Sequence, residues 1–524
     1  MNWLPSMVSG SGVRRSTQAQ FGGYMHTSGC GEGELWDMEN LSGDKSPLLS
    51  PRPPRYLVRR LQKPNGLYAR DGLCWVDGTG FYADGKRTGS VADSPKRFAS
   101  LGDYLLILPD KAYYHRKTGE FGSLEASWTG TATFGDGTYG GVPAKRNTIK
   151  TTGTPFPFRA GDAVEITGCA KAENNKTPIL QEVSENGKEL RFLENVFAEG
   201  SWTGTVTLKR SVPEMDFLCE NENRLWGCKG STIYASKLGD PFNWNVNSGL
   251  ATDSFAVEVG SAGAFTGCCA FLGYPVFFKE DQIYKVYGNK PSNFQVMGSA
   301  SLGVEEGSGE SLAVAGERLF YLSRTGVMSY TGGMPQELSA PFGEVRYRNA
   351  VGGSDGTKYY VSMEDGAGKW SLFVYDTRTG LWHREDSTRA RAFGWDGELY
   401  FLDDAGGLWL GGAPREIPEG AQEEEAVESM AEFGDFTEGS PDKKGVGKLL
   451  LRITVEEGAE VRAFLQFDSD TEWQELSRIQ ADKKRSVLLP ILPRRADHYR
   501  LRLTGVGRWA LHSLTREYTA GSEY

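Results

Sequence analysis

Residues 224–245 read RLWGCKGSTIYASKLGDPFNWN. Two short apolar runs flank a Lys-Gly turn, and a second turn rich in Gly, Asp and Pro leads to Trp244. Runs of four to six β-compatible residues bounded by turn formers predict a hairpin. Related phrases recur along the chain: DGLCWVDGTGFYADGK from Asp71, LGDYLLILPDKAYYHRKTG from Leu101, and LGYPVFFKEDQIYKVYG from Leu272. AGERLFYLSRTGVMSYTGG follows from Ala315, DGTKYYVSMEDGAGKWSLFVYDTRTGLWHRED from Asp355 and DGELYFLDDAGGLWLGG from Asp396. The later phrases are about 40–50 residues apart, the period of a four-stranded propeller blade. Buried inner strands and tight turns would also account for 67 glycines. The fold class expected is all-β: a β-propeller of about six or seven blades with an inserted β-domain and a C-terminal β-sandwich.

The expected domains follow from where the repeat starts, breaks and stops. Residues 1–69 are a lead-in segment, irregular to about Pro54, and residues 70–123 hold the first blades. Between Gly119 and Met215 the repeat breaks, and the interruption is framed by SWTGTAT from Ser127 and SWTGTVT from Ser201. These are read as the paired first and last strands of an inserted β-domain at 124–208, with further strands in FRAGDAVEITGC and KELRFLENVF. Insertions of this kind grow from loops on one face and commonly meet a partner. The remaining blades span 209–413. Residues 414–524 open as an acidic linker and continue as a sandwich, in which Leu449, Leu451, Ile453 and Val455 alternate, as do Val461, Ala463, Leu465 and Phe467.

Composition narrows the function. A hydrophobic fraction of 39% and a charged fraction of 24% describe a globular chain. The net charge of -10 argues against a conventional nucleic-acid binder, which needs a basic face, but suits a passage that nucleic acid slides through without sticking. Seven cysteines without a CxxC and five isolated histidines predict reduced core thiols and no metal site written in local spacing. No window approaches a transmembrane span and the N-terminus lacks a signal-type apolar core, so a protein soluble where it is made is expected, with no membrane segment.

Several residues invite a chemical reading. Arg52, Arg55, Arg59 and Arg60 could meet phosphate or an acidic partner, or belong to a solvated edge strand with Leu57 and Val58 turned inward. Asp365 in SMEDGAGKW resembles an Asp-box turn but is one place too far from Ser362, and such boxes are structural. Tyr375, Asp376 and Trp382 in VYDTRTGLWHRED resemble the second half of a kelch repeat; Asp376 suits a turn cap, Gly380 a positive φ, and Trp382 the core more than a sugar platform. Lys279, Glu280 and Asp281 sit at an expected hairpin turn, where charges are usually solvated. A glycosidase carboxylate pair would be singled out by no spacing here, and no nucleophile-elbow, zinc-protease, P-loop or Rossmann pattern has a fitting context. No catalytic, cofactor-binding or metal residue is assigned, no cofactor is expected, and the chain is not expected to be an enzyme.

The phrase YASKLGDPFNW, with MDFLCENENRLWGC before it and VGSAGAFTGC, FFKEDQIYKVYG and LFVYDTRTGLWHRED after it, resembles the β-propeller tail structural proteins of tailed bacteriophages, of the tail nozzle (tail tubular) type. GELWDMENLSGDKSPLLSPRPPR and PRRADHYRLRLTGVG are similar to segments near the two ends of the same group. The resemblance implies a virion structural protein, assembled in the host cytoplasm and located in the tail. It implies a homo-oligomeric ring, possibly a hexamer, around the DNA exit channel below the portal and its adaptor. Portal, adaptor and other tail proteins would be partners, with DNA ejected through the channel without sequence-specific binding. The alternative is a propeller that binds or cleaves glycan at the host surface. On the structural reading, SKLGDPFNW is a blade turn: Gly239 reverses the backbone, Asp240 caps, Pro241 fixes φ and Trp244 packs on a neighbouring strand.

Overall fold

The computed structural model describes residues 12–480, 484–492 and 494–519. It comprises two compact units, Met1–Gly72 with Glu310–Tyr524, and Leu73–Gly309. Residues 1–11 of the expected lead-in segment lie outside the described residues. Among the described residues helix is confined to four short 3-10 turns, and no helix is long and apolar enough to cross a membrane.

In the unit 73–309, a three-strand meander (Leu73–Asp77, Gly80–Ala83, Lys86–Ser90) precedes three four-stranded antiparallel sheets. These start at Arg97–Leu101, Phe217–Asn221 and Gly267–Phe271, and each pairs its strands in simple chain order. The first strands of successive sheets lie side by side, which is how propeller blades meet. Each second strand is enclosed by the neighbouring blade, so Leu105–Leu108 and Val276–Phe278 are buried on both faces. This explains why they read as continuous apolar runs rather than alternating ones. The opening stretch supplies the second and third strands of one blade, Arg224–Lys229 and Thr232–Ala235.

Between two of these blades the chain leaves to form a six-stranded sheet with its own core around Phe134, Ile149, Leu190 and Leu208. Its long strands Ala126–Tyr139 and Trp202–Arg210 pair antiparallel, with Trp128 opposite Leu208 and Phe134 opposite Trp202. The duplicated WTGT has a steric basis. Each indole lies along its own strand over the glycine two residues on, so a Cβ would come within 2.9 Å of Trp128 at Gly130 and 2.3 Å of Trp202 at Gly204.

The other unit carries three further blades, starting at Ala313–Ala315, Tyr347–Ser354 and Ala390–Trp395. The last takes its fourth strand, Tyr56–Arg60, from the start of the chain. A sandwich of two five-stranded sheets follows. The predicted alternation holds: Leu449, Leu451, Ile453, Val455, Val461, Ala463, Leu465 and Phe467 all point into one core.

Two expectations are corrected here. The segment before Pro54 is irregular only in part. Val13–Gln18 is an edge strand on Trp509–Thr519, and Leu35–Glu39 pairs with Glu428–Phe433. The acidic stretch after Pro414 is not a free linker either: Gln422–Glu423 pairs with the Tyr56–Leu57 edge, and the Glu424 carboxylate bonds the Arg52 guanidinium.

Candidate interaction surface on the inserted domain

The turn GDPFNWN is where the inserted domain is mounted. Gly239 adopts φ +70°, and its N–H donates to Asn223 O at 2.8 Å. Asp240 Oδ1 accepts the Phe242 N–H at 2.9 Å, closing the turn, and its Oδ2 accepts from Asn243 Nδ2 at 2.8 Å. Trp244 is buried in a core shared with Leu101, Leu106 and Tyr113 of the preceding blade, and its indole N–H donates to Pro241 O at 3.0 Å. Gly239, Asp240 and Trp244 therefore fill the roles read for them from the sequence.

Asn243 has a further role that the sequence did not reveal. Its Nδ2 also donates to Asp162 Oδ1 of the inserted domain at 3.0 Å, and its Oδ1 accepts the Ala163 N–H at 3.0 Å. Asp162 Oδ2 accepts from Arg210 Nη1 at 2.6 Å and from the Arg159 N–H at 2.9 Å. Arg210 also donates to Leu124 O, and both arginines lie over the Phe242 ring. The Asp162 and Arg210 side chains are only 3% and 5% exposed. A charge pair this enclosed persists when every lone pair and proton is satisfied, and here the amide, the backbone and the ring do so. The outcome is a rigid joint between blade turn and inserted sheet.

Beyond the joint, the inserted sheet shows solvent a polar face of cross-strand threonine pairs, Thr129–Thr207 at 3.0 Å and Thr133–Thr203 at 2.9 Å. This face runs into an 850 Å³ groove holding Lys145, Arg146 and Lys150 together with Asp136, Glu194 and Glu199. Arg146 and Asn195 there take left-handed backbone at φ +51° and +61°. They are held by Arg146 Nη2 donating to Asn195 Oδ1 at 2.6 Å and the Arg146 N–H donating to Asp136 Oδ1 at 2.7 Å. Three cations interleaved with three carboxylates suit docking to a polar surface of complementary charge.

The other residues singled out in the sequence are engaged in structure. Arg52 and Arg55 are buried: Arg55 donates to Asp386 Oδ2 at 2.7 Å, Glu385 Oε2 at 2.5 Å and Thr388 Oγ1 at 3.1 Å. Arg59 and Arg60 are exposed on the blade edge, with Leu57 and Val58 half-buried. Asp365 Oδ1 accepts the Ala367 and Lys369 N–H groups at 2.9 Å, as a turn cap does. Asp376 caps Arg378 N at 2.9 Å, Gly380 sits at φ +72°, and buried Trp382 donates to Leu338 O at 2.8 Å. Lys279 corrects the solvated-turn expectation, which Glu280 at the exposed tip meets. The lysine is 1% exposed, donates to Ser261 O at 2.8 Å and lies over Phe265. Burial holds its ammonium below the usual lysine range.

Two groupings escaped sequence reading because their members are far apart in the chain. The Cys268 thiol bonds those of Cys219 and Cys228 across adjacent blades, and burial pushes it well up; all seven cysteines are free thiols. Asp468, Asp497 and His498 bring ligand atoms within 4.8 Å of one another. Those atoms already serve a turn: Asp468 Oδ1 accepts the Asp497 N–H at 2.8 Å, His498 Nδ1 bonds Asp497, and His498 Nε2 meets Ser469 Oγ at 2.8 Å.

No family model matches the chain, and no curated protein matches it. Among solved structures it is similar to BamB from Moraxella catarrhalis, at 11% identity over 69% of this chain and 98% of that one, with a TM-score of 0.37. It is also similar to Chaetomium thermophilum Raptor, at 11% identity over 70% of this chain and 29% of that one, TM-score 0.33. The phage phi92 endosialidase is similar at 9% identity over 69% and 70%, TM-score 0.23. The blade architecture described above rests on the chain's own sheets.

Proposed function

We propose that this chain is an assembly subunit of a bacteriophage tail, a propeller scaffold that forms an oligomeric ring, of nozzle or hub type, around the path of exiting DNA and joins portal, adaptor or other tail proteins. The observation that carries this reading is the joint at GDPFNWN. The phrase that most resembles phage tail proteins uses its polar atoms to fix a separate β-module to a blade through a buried Asp162–Arg210 pair. A rigidly mounted module with a polar face suits a part that sets the geometry of a neighbour, and its side chains are committed to support rather than turnover. On this reading the blade core stabilises the subunit and the module's groove meets a neighbouring tail protein.

The test is mass photometry of the purified chain, together with immunogold labelling of phage particles using antibody to exposed residues 414–423. A defined multiple of the 57.6 kDa chain, with label clustered at the tail, is the expected result. A chain that stays monomeric, is absent from particles and releases reducing sugar from host envelope would replace this reading with the glycan-active one.

A further inference from the structure

Apart from the inserted domain, the unit holding the sandwich contains a second cavity, a 620 Å³ groove. Its volume is that of a small-molecule site. Two separate elements border it: the strap after Gln422, with exposed Glu423 and Glu425, and the turn after Val455, with exposed Glu456 and Glu457. None of these four carboxylates has an ion-pair partner among the described residues, in contrast to Glu424, which Arg52 neutralises. Between them the half-buried prolines Pro51, Pro53 and Pro54 give the groove an apolar floor, with the buried Trp509 and Ala459 behind it. At the floor lies the Ser50 hydroxyl, 1% exposed and without a hydrogen-bond partner among the described residues.

These features ask for one kind of ligand. A buried hydroxyl left unpaired is unfavourable, and a polar group entering the groove relieves that cost. Like-charged elements facing one cavity repel, and cations placed at both relieve that repulsion. Apolar floor between charged rims favours methylenes between the cations. Lys45 and Arg508 also border the groove, so its unpaired charge is two negative, from four carboxylates and two cations. We propose that this groove binds a linear aliphatic polyamine, its methylenes lying on the floor of Pro51, Pro53 and Pro54, its ammonium groups on the two glutamate pairs, and one N–H donated to Ser50 Oγ.

The test is titration calorimetry of the full chain with spermidine at about 0.15 M salt, where the Debye length is about 8 Å and loose attraction is screened. Saturable 1:1 binding is expected. Losing two exposed ion pairs in Glu456→Gln/Glu457→Gln should weaken it about tenfold, the equivalent of about 1.4 kcal/mol. Losing one hydrogen bond in Ser50→Ala should weaken it about threefold. The glutamate variant changes exposed side chains only, so an unaltered melting profile separates loss of binding from loss of fold. The proposal is overturned by absence of saturable binding, by binding that the glutamate variant leaves unchanged, or by Mg²⁺ competing as well as spermidine at equal charge. Saturation by an oligolysine peptide but not by spermidine would also overturn it and mark the groove as a peptide dock.

Discussion

The Arg55 clasp should control whether the last blade keeps its fourth strand. Arg55 stands at the head of the strand Tyr56–Arg60, and its guanidinium spans Glu385 and Asp386 on the turn that enters the last blade. Its side chain is 8% exposed, and those of Glu385 and Asp386 are 12% and 21% exposed. Breaking a buried pair by removing one partner costs about 3–5 kcal/mol. Arg52 stays 3.9 Å from both carboxylates in the variant and the carboxylates keep some water, so Arg55→Met belongs at the low end, about 3 kcal/mol. Read as native-state hydrogen exchange, this is roughly a hundredfold loss of protection for the amides of the strand at pH 7. The pH dependence follows from Asp386. Burial opposes its ionisation, but Arg55 and the Thr388 bonds outweigh burial and hold the carboxyl below its usual range. Stability from such a group is complete above the unfolded-state pKa near 4 and fades as pH falls through the lower folded-state value. The difference between wild type and Arg55→Met should therefore be full at pH 7 and shrink below about pH 4. A variant whose strand amides lose less than about threefold in protection, or a difference that persists unchanged into acid, refutes the clasp.

Two further outcomes follow from buried charge elsewhere. Asp162→Ala leaves Arg210 enclosed without its anion and should cost about 3–5 kcal/mol at the joint while sparing the inserted sheet's own core; limited proteolysis should cut at the module's two connections, and digestion as slow as wild type would disprove the joint's role. His383 is held near pKa 4 by burial, aided by the nearby Lys358 ammonium. The unfolded chain therefore takes up a proton first, and about 3 kcal/mol of stability should be lost as pH falls from about 6.5 to about 4; His383→Gln should flatten that slope, and an imidazole NMR titration with a midpoint near 6.5 would contradict it.

The parts legible in the sequence are those that local spacing can encode. A blade hairpin closes over a few residues, so its apolar runs and turn formers are neighbours in the chain, and the alternation at 449–455 and 461–467 needs only a period of two. Asp376 is recognisable as a cap for the same reason, since it bonds an N–H two residues ahead, and Asp365, read only as an imperfect Asp-box turn, bonds N–H groups two and four residues ahead. Long-range partners leave no such mark. Arg55 meets Asp386 331 positions away and Asn243 meets Asp162 81 positions back, so both read only as polar residues near turns. Lys279 shows the limit most plainly. KED at a hairpin tip has the composition of solvated charge, and Glu280 behaves accordingly, yet the preceding side chain turns back over Phe265 to the carbonyl of Ser261. Lys279 follows the strand Tyr274–Phe278, whose last four residues are buried, so its side chain continues into the interior and must be met by acceptors from another segment, while Glu280 reaches water. Arg52 and Arg55 likewise enter the interior while Arg59 and Arg60, equally basic, remain on the exposed edge. Charge alone could not separate these pairs; the carboxylates waiting at Glu385, Asp386 and Glu424 do.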